Sequence, residues 1–247
     1  MVTIKCRGIT FSNIQAVIFD KDGTLEDSVE FLRHLGIKRS RLADAQIPGV
    51  GEPLQMAFGI EPGKIDPTGL LAVGSRRENE IVAAGYIAET GRGCIESLAI
   101  AQRAFDEADE MLKNSPPSPL FVGSLEVLKS LSEAGLKLGI LSAATTEAVK
   151  KMVKTHQLSE YIQLEMGVDS VHLNKPDPKL FLLACDRLGV DPAVTLMVGD
   201  SAGDIQMGRN AGAAGCIGIC WGKAEASHLE KADVAIASLD EIKIVTD

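Results

Sequence analysis

The sequence has no apolar stretch long enough to span a bilayer, and its first fifteen residues, MVTIKCRGITFSNIQ, lack the uninterrupted apolar segment of a secretory signal. It also has no excess of positive charge, because 25 Lys and Arg residues are outnumbered by 34 Asp and Glu residues and form no basic stripe. Nucleic-acid binding depends on concentrated positive charge, so nucleic acid is not an expected partner. We therefore expect a cytoplasmic protein that has neither a membrane nor a nucleic acid as partner.

Cysteine is also scarce. The 247 residues include five cysteines, an odd number in a chain without a secretion signal, so we expect reduced thiols rather than a disulfide framework. Cys216 and Cys220 lie in the apolar segment GCIGICWG, which favours a structural role over a metal or redox role. The length and a hydrophobic fraction of 45% fit a large domain, or a domain of average size that carries a smaller inserted one.

Short apolar segments recur along the chain, and each is followed by turn residues and then by a segment with helical periodicity. The three clearest are QAVIF at 15–19, LKLGIL at 136–141 and VTLMVG at 194–199. Later segments predict a helix over 178–189 and strands over 214–219 and 232–238. Nearly all-apolar strands that alternate with helices indicate a doubly wound, Rossmann-like parallel α/β sheet. In such sheets, ligands bind beyond the carboxyl ends of the strands.

The strand pattern breaks between residues 27 and 118, where the sequence shows several helix-like stretches and no comparable strand. The clearest helix is predicted over 92–114, and SPPSP at 115–119 is typical of a linker. We therefore predict a core formed by 1–26 and 119–247, into which residues 27–118 are inserted as a helical domain. The first dozen residues would add a small hairpin or an edge strand to the core.

The first candidate site follows the first apolar strand and consists of Asp20, Asp22, Gly23 and Thr24. Two carboxylates one residue apart can approach a common centre when Gly23 lets the backbone bend. Such a pair serves either to hold a hard divalent cation or to divide the roles of nucleophile and proton donor. The alternative is an ordinary Asp-Gly turn at the end of a strand.

A second pair of carboxylates, Asp200 and Asp204, follows the apolar strand at 194–199 in VGDSAGD. Together with the first pair they would complete an acidic site that offers three or more oxygen ligands. Magnesium fits such a site best, because it uses few carboxylates and keeps water and substrate phosphate among its ligands. Taken alone, GDSAGD is equally well explained as the capped start of a helix.

Two further segments carry groups that can hold phosphate. Ser142 and Ala143 follow the strand at 136–141, where a hydroxyl and free backbone N–H groups can bind phosphate oxygens, although Ser is also an ordinary helix cap. Lys175 lies in LNKPDPKLF, where the prolines prevent a regular helix. A lysine in such a rigid turn can act as a counter-charge for a phosphoryl group or an aspartate. The alternative interpretation of Lys175 is a solvated surface lysine.

Other candidates have weaker support. The four histidines show no metal-ligand spacing. A serine hydrolase built from Ser142 and His172 lacks the GxSxG motif that would support it. Arg76 and Arg77, in the helical insertion, would suit a substrate carboxylate or phosphate, but a solvated helix face explains them better.

The four site segments occur in one order along the chain, as FDKDGTLEDS, ILSAAT, NKPDPKLF and VGDSAGD. Together they resemble the four motifs of the haloacid-dehalogenase-like superfamily of hydrolases. The branch that includes phosphoglycolate phosphatase has a helical cap between its first and second motifs, where this sequence has its helical insertion. The resemblance therefore implies a Rossmann-like core with a helical cap. One departure is Ser-Ala in the second motif, where many relatives have Thr or Ser followed by Asn.

Carried over by position, the resemblance implies that Asp20 is the nucleophile and Asp22 the general acid and base. It implies Mg²⁺ as cofactor, bound by the side chains of Asp20 and Asp200 and by the backbone carbonyl of Asp22, with Asp204 supporting the site. The residues that it implies for the phosphoryl group are Ser142, Ala143, Lys175, Gly23 and Thr24.

The activity implied by the resemblance is hydrolysis of a small phosphorylated metabolite, a phosphate monoester such as phosphoglycolate. Members that cleave carbon–halogen bonds lack the second aspartate of the first motif, so the presence of Asp22 favours phosphoryl chemistry. A phosphomutase of the same fold retains all four motifs and stays open as an alternative. A protein that binds a phosphate ligand without turnover is the less favoured alternative, and the sequence leaves monomer and homodimer open.

Overall fold

The computed structural model describes residues 2–170, 173–222 and 226–245. The chain divides into two compact units, a core unit of Met1–Asp27 and Pro119–Asp247 and an insertion unit of Ser28–Ser118. The predicted domains, with boundaries after residues 26 and 118, remain a prediction, because compactness alone does not show that a segment folds independently.

The described residues form strands, α-helices and short 3-10 helices. The strands are β1 (Val2–Cys6), β2 (Ile9–Ile14), β3 (Ala16–Phe19), β4 (Ile60–Glu61), β5 (Lys64–Ile65), β6 (Lys137–Ser142), β7 (Leu164–Gly167), β8 (Thr195–Gly199), β9 (Gly215–Ile219), β10 (Val234–Ile236) and β11 (Ile242–Ile244). The α-helices are α1 (Val29–Gln46), α2 (Gly51–Ala57), α3 (Leu70–Val73), α4 (Arg76–Ala88), α5 (Cys94–Leu112), α6 (Ser124–Glu133), α7 (Thr146–Thr155), α8 (Pro178–Leu188) and α9 (Ala202–Asn210). The 3-10 helices cover Val168–Ser170, Pro192–Val194, Ser227–Leu229 and Leu239–Glu241.

Six strands of the core unit form one parallel sheet, in the order β10-β9-β8-β3-β6-β7. Strand β3 lies inside this sheet, between β6 and β8, so that Phe19 is opposite both Ile140 and Val198. Every residue of β3 and of β8 is buried. The predicted doubly wound parallel α/β fold is confirmed.

Both faces of this sheet are covered by apolar side chains. Val17 and Phe19 of β3 belong to one cluster, which includes side chains of α6 and α7. Ile18 belongs to the other cluster, which includes side chains of α8 and α9. Since successive residues of a strand point to opposite faces, a strand covered on both sides must be apolar throughout. This explains the uniform apolar segment that precedes Asp20.

The first two strands lie in a separate sheet. Strands β1 and β2 form an antiparallel hairpin, and β1 also pairs with the last strand, in the order β11-β1-β2. The predicted hairpin is therefore present, but it does not extend the parallel sheet as an edge strand. Sequence reasoning did not identify β7, β11 or α6. The two strands are four and three residues long, too short to show a clear periodicity.

The insertion unit contains helices α1 to α5 and has an apolar core of its own, in which Leu54, Phe58 and Phe105 are fully buried. The helix predicted over 92–114 is α5. The expectation of helices alone in this segment differs from the structure in one detail, because β4 and β5 pair as a two-residue antiparallel hairpin. Strands of two residues carry no alternation that a sequence pattern can reveal.

The five cysteines are free thiols, as expected from their number. Burial, with a smaller effect from Asp233, raises the pKa of Cys216 to about 12, which suits a buried apolar role rather than a reactive one. Across the ranges that the structure describes, no helix combines the length and the apolar character needed to cross a bilayer.

Candidate active site

The carboxyl ends of β3 and β8 bring two aspartates to one edge of the parallel sheet. Strand β3 ends at Phe19 and is followed by Asp20, and β8 ends at Gly199 and is followed by Asp200. The two strands are neighbours, and the backbone N–H of Asp20 donates a hydrogen bond of 2.8 Å to the carbonyl of Val198. The sheet register therefore places side by side two residues that are distant in sequence.

Asp204, in the first turn of α9, joins these two aspartates. One carboxylate oxygen from each of Asp20, Asp200 and Asp204 lies within 4.8 Å of the other two. The Nζ of Lys175 is 2.6 Å from Asp20 Oδ1 and 2.6 Å from Asp204 Oδ1, and the lysine side chain is 6% exposed. The structure thus brings together four of the residues that sequence analysis singled out, and the one ammonium contacts two of the three carboxylates.

The pKa values of this acidic cluster reflect its crowding. Burial raises the pKa of Asp20 to about 7, with Asp204 and Asp22 adding to the effect and Lys175 opposing it. Burial also raises the pKa of Asp200 well above its usual range, and Asp20 and Asp204 contribute next. Burial disfavours the charged form of Lys175, but the carboxylates of Asp20 and Asp204 outweigh burial and raise its pKa. When all three carboxylates are ionised, they therefore carry more negative charge than the single ammonium of Lys175 compensates.

This surplus of negative charge fits a hard divalent cation. The donors are carboxylate oxygens set close together, the ligands that Mg²⁺ and Ca²⁺ prefer. Asp204 is less available than its neighbours, because its Oδ2 accepts a hydrogen bond of 2.5 Å from Ser201 Oγ and its Oδ1 faces Lys175. Asp20 and Asp200 are therefore the side chains best suited to hold a cation, with Asp204 beside them.

Gly23 and Thr24 lie against the carboxylate of Asp200. Gly23 has a φ of 76°, which favours glycine, and a Cβ added to it would lie 2.1 Å from Asp200 Oδ2. The buried Thr24 donates a hydrogen bond of 3.4 Å from Oγ1 to Asp200 Oδ1. Trp221, which sequence reasoning did not identify, donates from Nε1 to the Gly23 carbonyl at 3.0 Å and stacks on Phe121. These contacts position Asp200, and phosphate binding by Gly23 and Thr24 stays a prediction.

Ser142 is the last residue of β6 and is buried. Because β6 neighbours β3, Ser142 and Ala143 leave the sheet at the same edge as Asp20. The hydroxyl of Ser142 accepts a hydrogen bond of 3.0 Å from the N–H of Ala144, and Thr145 caps the start of α7. The residue that caps this helix is therefore Thr145 and not Ser142. Phosphate binding by Ser142 and Ala143 stays a prediction.

The carboxylate of Asp22 pairs with Lys21, a residue that sequence reasoning did not single out. Lys21 Nζ is 2.5 Å from Asp22 Oδ1 and 2.8 Å from Glu26 Oε2. Burial disfavours the charged form of Lys21, but these two carboxylates outweigh burial and raise its pKa. The signal available in the sequence was a pair of opposite charges within FDKDGTLEDS, directly after a buried strand.

The sequence also offered Arg76, Arg77 and His172 as weaker candidates. Arg76 and Arg77 belong to the insertion unit and form ion pairs there with an acidic side chain of α4, and Arg76 also pairs with acidic side chains of α5. These ion pairs support the simpler interpretation of a charged helix surface. His172 lies outside the described residues. His228, which had no assigned role, places Nε2 3.1 Å from the backbone carbonyl of Asp200.

Comparison with known proteins agrees with the four motifs. Probable phosphatase IndB of Dickeya dadantii is 31% identical over 226 residues, which cover 88% of this chain and 86% of that protein. Phosphoglycolate phosphatase of Escherichia coli is 28% identical over 94% of this chain and 92% of its own. The crystal structure of a predicted phosphoglycolate phosphatase from Haemophilus somnus has the same fold, with a TM-score of 0.70 at 22% identity over 92% of this chain and 96% of that one.

A family model described as haloacid dehalogenase-like hydrolase matches residues 14–212, a range that contains all four motifs. The match extends over well more than half of the chain and includes the strands that carry the acidic cluster. The resemblance seen in the sequence is therefore confirmed, and the chain belongs to the haloacid dehalogenase-like hydrolases.

Proposed function

We propose that the chain is a Mg²⁺-dependent phosphatase that hydrolyses a small phosphate monoester through an aspartyl-phosphate on Asp20. The observation that carries the proposal is the position of Asp20. Its carboxylate follows a fully buried strand, lies 2.6 Å from Lys175 Nζ and is within 4.8 Å of a carboxylate oxygen of Asp200. A carboxylate nucleophile needs fixed cationic groups beside it to approach a phosphate that is itself negatively charged, and Lys175 is one such group.

In the first step, an oxygen of Asp20 forms a bond to phosphorus while the bond between phosphorus and the ester oxygen breaks. Asp22 donates a proton to the departing alkoxide, so the alcohol leaves neutral. In the second step, water attacks phosphorus, Asp22 takes a proton from that water, and the bond between Asp20 and phosphorus breaks. Inorganic phosphate is released, and both aspartates return to their starting states.

The charges around Asp20 explain why more than one cation is needed. Because the pKa of Asp20 is raised, Lys175 alone does not fully stabilise the carboxylate as a nucleophile. A bound Mg²⁺ would be held by Asp20, Asp200 and the backbone carbonyl of Asp22, and would offset the negative charge of the phosphoryl group. Lys175 keeps Asp20 oriented, and Asp204 keeps Lys175 in place through its own contact with the ammonium.

The substrate class is proposed from the relatives and from the first motif. Phosphoglycolate phosphatase and other phosphatases are among the similar proteins, which favours a small phosphorylated metabolite. Asp22, which members that cleave carbon–halogen bonds lack, favours phosphoryl chemistry. The phosphomutase alternative differs in its product, because a mutase returns the phosphoryl group to the sugar and releases no free phosphate. We also propose a cytoplasmic protein that acts as a monomer or a homodimer.

Removal of divalent cations is expected to slow this reaction strongly. In a screen of phosphate monoesters, we expect release of inorganic phosphate in the presence of Mg²⁺ and a fall of about a hundredfold or more with EDTA, because a principal source of charge stabilisation is lost. Addition of excess Mg²⁺ should restore the rate. Undiminished phosphate release in EDTA would contradict the requirement for a divalent cation. Transfer of the phosphoryl group to a sugar without release of free phosphate would favour the phosphomutase alternative.

A further inference from the structure

We propose that Lys21 is a positioning residue, which holds the carboxylate of Asp22 in the orientation that it needs to protonate the leaving group. This inference rests on the proposed function, since it gives Asp22 the role of general acid. Lys21 lies between Asp20 and Asp22 in the sequence, yet its ammonium contacts Asp22 and Glu26 rather than the acidic cluster.

The first observation is that this ammonium is buried between two carboxylates. Lys21 is 6% exposed and Glu26 is 7% exposed. The loop also closes on itself through the backbone, because Glu26 N–H donates to the Lys21 carbonyl at 3.0 Å and Gly23 N–H donates to the Glu26 carbonyl at 3.0 Å. The position of Lys21 Nζ is therefore fixed by both the side chains and the backbone of this loop.

The second observation is that Glu26 is held from its other side as well. Its Oε1 lies 3.5 Å from Nε2 of His156, at the end of α7, while its Oε2 faces Lys21. Glu26 therefore ties Lys21 to an element outside the loop. Of the two carboxylates that contact Lys21, Asp22 has the more exposed side chain, at 19% compared with 9% for Glu26. Glu26 thus acts as the buried support, and Asp22 is the end of the network that solvent or substrate can reach.

Stability alone does not account for this network. A buried ion pair gains little over apolar side chains of similar volume, because the attraction between the charges is offset by the cost of removing both from water. A lysine between two carboxylates does, however, fix where each carboxylate points. The ammonium of Lys21 contacts Oδ1 of Asp22, so Oδ2 is the oxygen left to carry the proton to the leaving group. A general acid must be held within hydrogen-bond reach of the atom that it protonates, and Lys21 supplies that constraint.

The test compares two phosphate monoesters whose leaving groups differ in their need for a proton. The leaving group of p-nitrophenyl phosphate is a weakly basic phenolate that departs without protonation, whereas an alkyl phosphate chosen from the wild-type screen releases a strongly basic alkoxide. The quantity measured is kcat/KM, which includes the departure of the leaving group. For Lys21→Met we expect a loss of about tenfold to a hundredfold on the alkyl ester, no more than the usual contribution of general acid catalysis because Asp22 itself is retained, and a loss of less than about threefold on p-nitrophenyl phosphate.

Further variants complete the design. Asp22→Asn should show the same selectivity between the two esters with a larger loss, and Lys21→Arg should recover part of the alkyl activity. Lys179→Met, which removes an exposed lysine, should leave both rates unchanged. If Lys21→Met does not fold, the double variant Lys21→Met with Glu26→Met removes both charges of the buried pair, and it should still lose activity selectively on the alkyl ester.

The outcomes separate this inference from the proposed function. Equal losses on the two esters, or full alkyl activity in the Lys21→Met protein or in the double variant, would overturn the role of Lys21 while leaving the phosphatase intact. If Asp22→Asn lowered kcat/KM equally on the two esters, the assignment of Asp22 as general acid would be overturned, and the role of Lys21 with it. Absence of phosphate release by the wild-type protein from every monoester would overturn the proposed function.

Discussion

Asp20→Asn is expected to lower phosphate release to about one ten-thousandth of the wild-type rate or less, because the substitution removes the atom that bonds to phosphorus. The change preserves the size of the side chain, and it replaces a buried carboxylate whose pKa is raised to about 7 with a neutral amide. The folded protein should therefore persist, as judged by its circular dichroism and its thermal unfolding. The measurement is the steady-state rate of phosphate release from the best substrate in the monoester screen.

The matched control is Asp186→Asn, the same chemical change at an exposed position of α8. We expect this control to keep the wild-type rate. A folded Asp20→Asn protein with ordinary turnover would refute the covalent route. A loss of similar size in the control would show that the assay responds to something other than the nucleophile.

Lys175→Met is expected to affect both turnover and stability. The variant leaves the carboxylates of Asp20 and Asp204 without the ammonium that lies 2.6 Å from each of them. Turnover should fall by about a hundredfold or more, since a principal electrostatic group is missing. The free energy of unfolding in EDTA should fall by about 3–5 kcal/mol, the usual consequence of removing one partner from a buried ion pair. Urea unfolding and phosphate release measure the two effects.

Lys179→Met serves again as the control, since Lys179 is exposed and lies close to Lys175 in the sequence. Mg²⁺ should recover part of the stability lost in Lys175→Met, because a cation bound at Asp20 and Asp200 compensates charge in the same cluster. Stability and turnover that both match the wild type would contradict the role given to Lys175. Loss of stability without any loss of turnover would restrict Lys175 to a structural role.

The sequence was sufficient to predict the part of the fold that positions the site. Strands β3 and β8 are covered on both faces, so their apolar segments stand out from the polar turns that follow. Asp20 and Asp200 come directly after those strands, and parallel pairing brings the two strand ends to one edge. The grouping of Asp20, Lys175 and Asp200 therefore followed from strand ends and from motif order.

Contacts that depend on tertiary geometry were beyond this kind of reasoning. Strand β11 pairs with β1 from the opposite end of the chain, and nothing local in a three-residue strand indicates such a partner. The ion pairs of Lys21 were missed for a related reason, because a charged residue in a polar motif gives no sign that it will be buried. Gly23 and Thr24 were expected to hold phosphate, whereas the contacts seen in the structure are to Asp200.

The most direct test of the covalent mechanism is to look for the phosphoryl group on the protein. The wild-type enzyme would be mixed with a hydrolysed monoester, quenched in acid within the first turnovers, digested and analysed by mass spectrometry. We predict one phosphoryl group on the peptide that contains Asp20, attached to that carboxylate and absent from Asp20→Asn. Phosphate release accompanied by a phosphoryl group on a different residue, or by an unmodified Asp20 throughout the time course, would contradict the account.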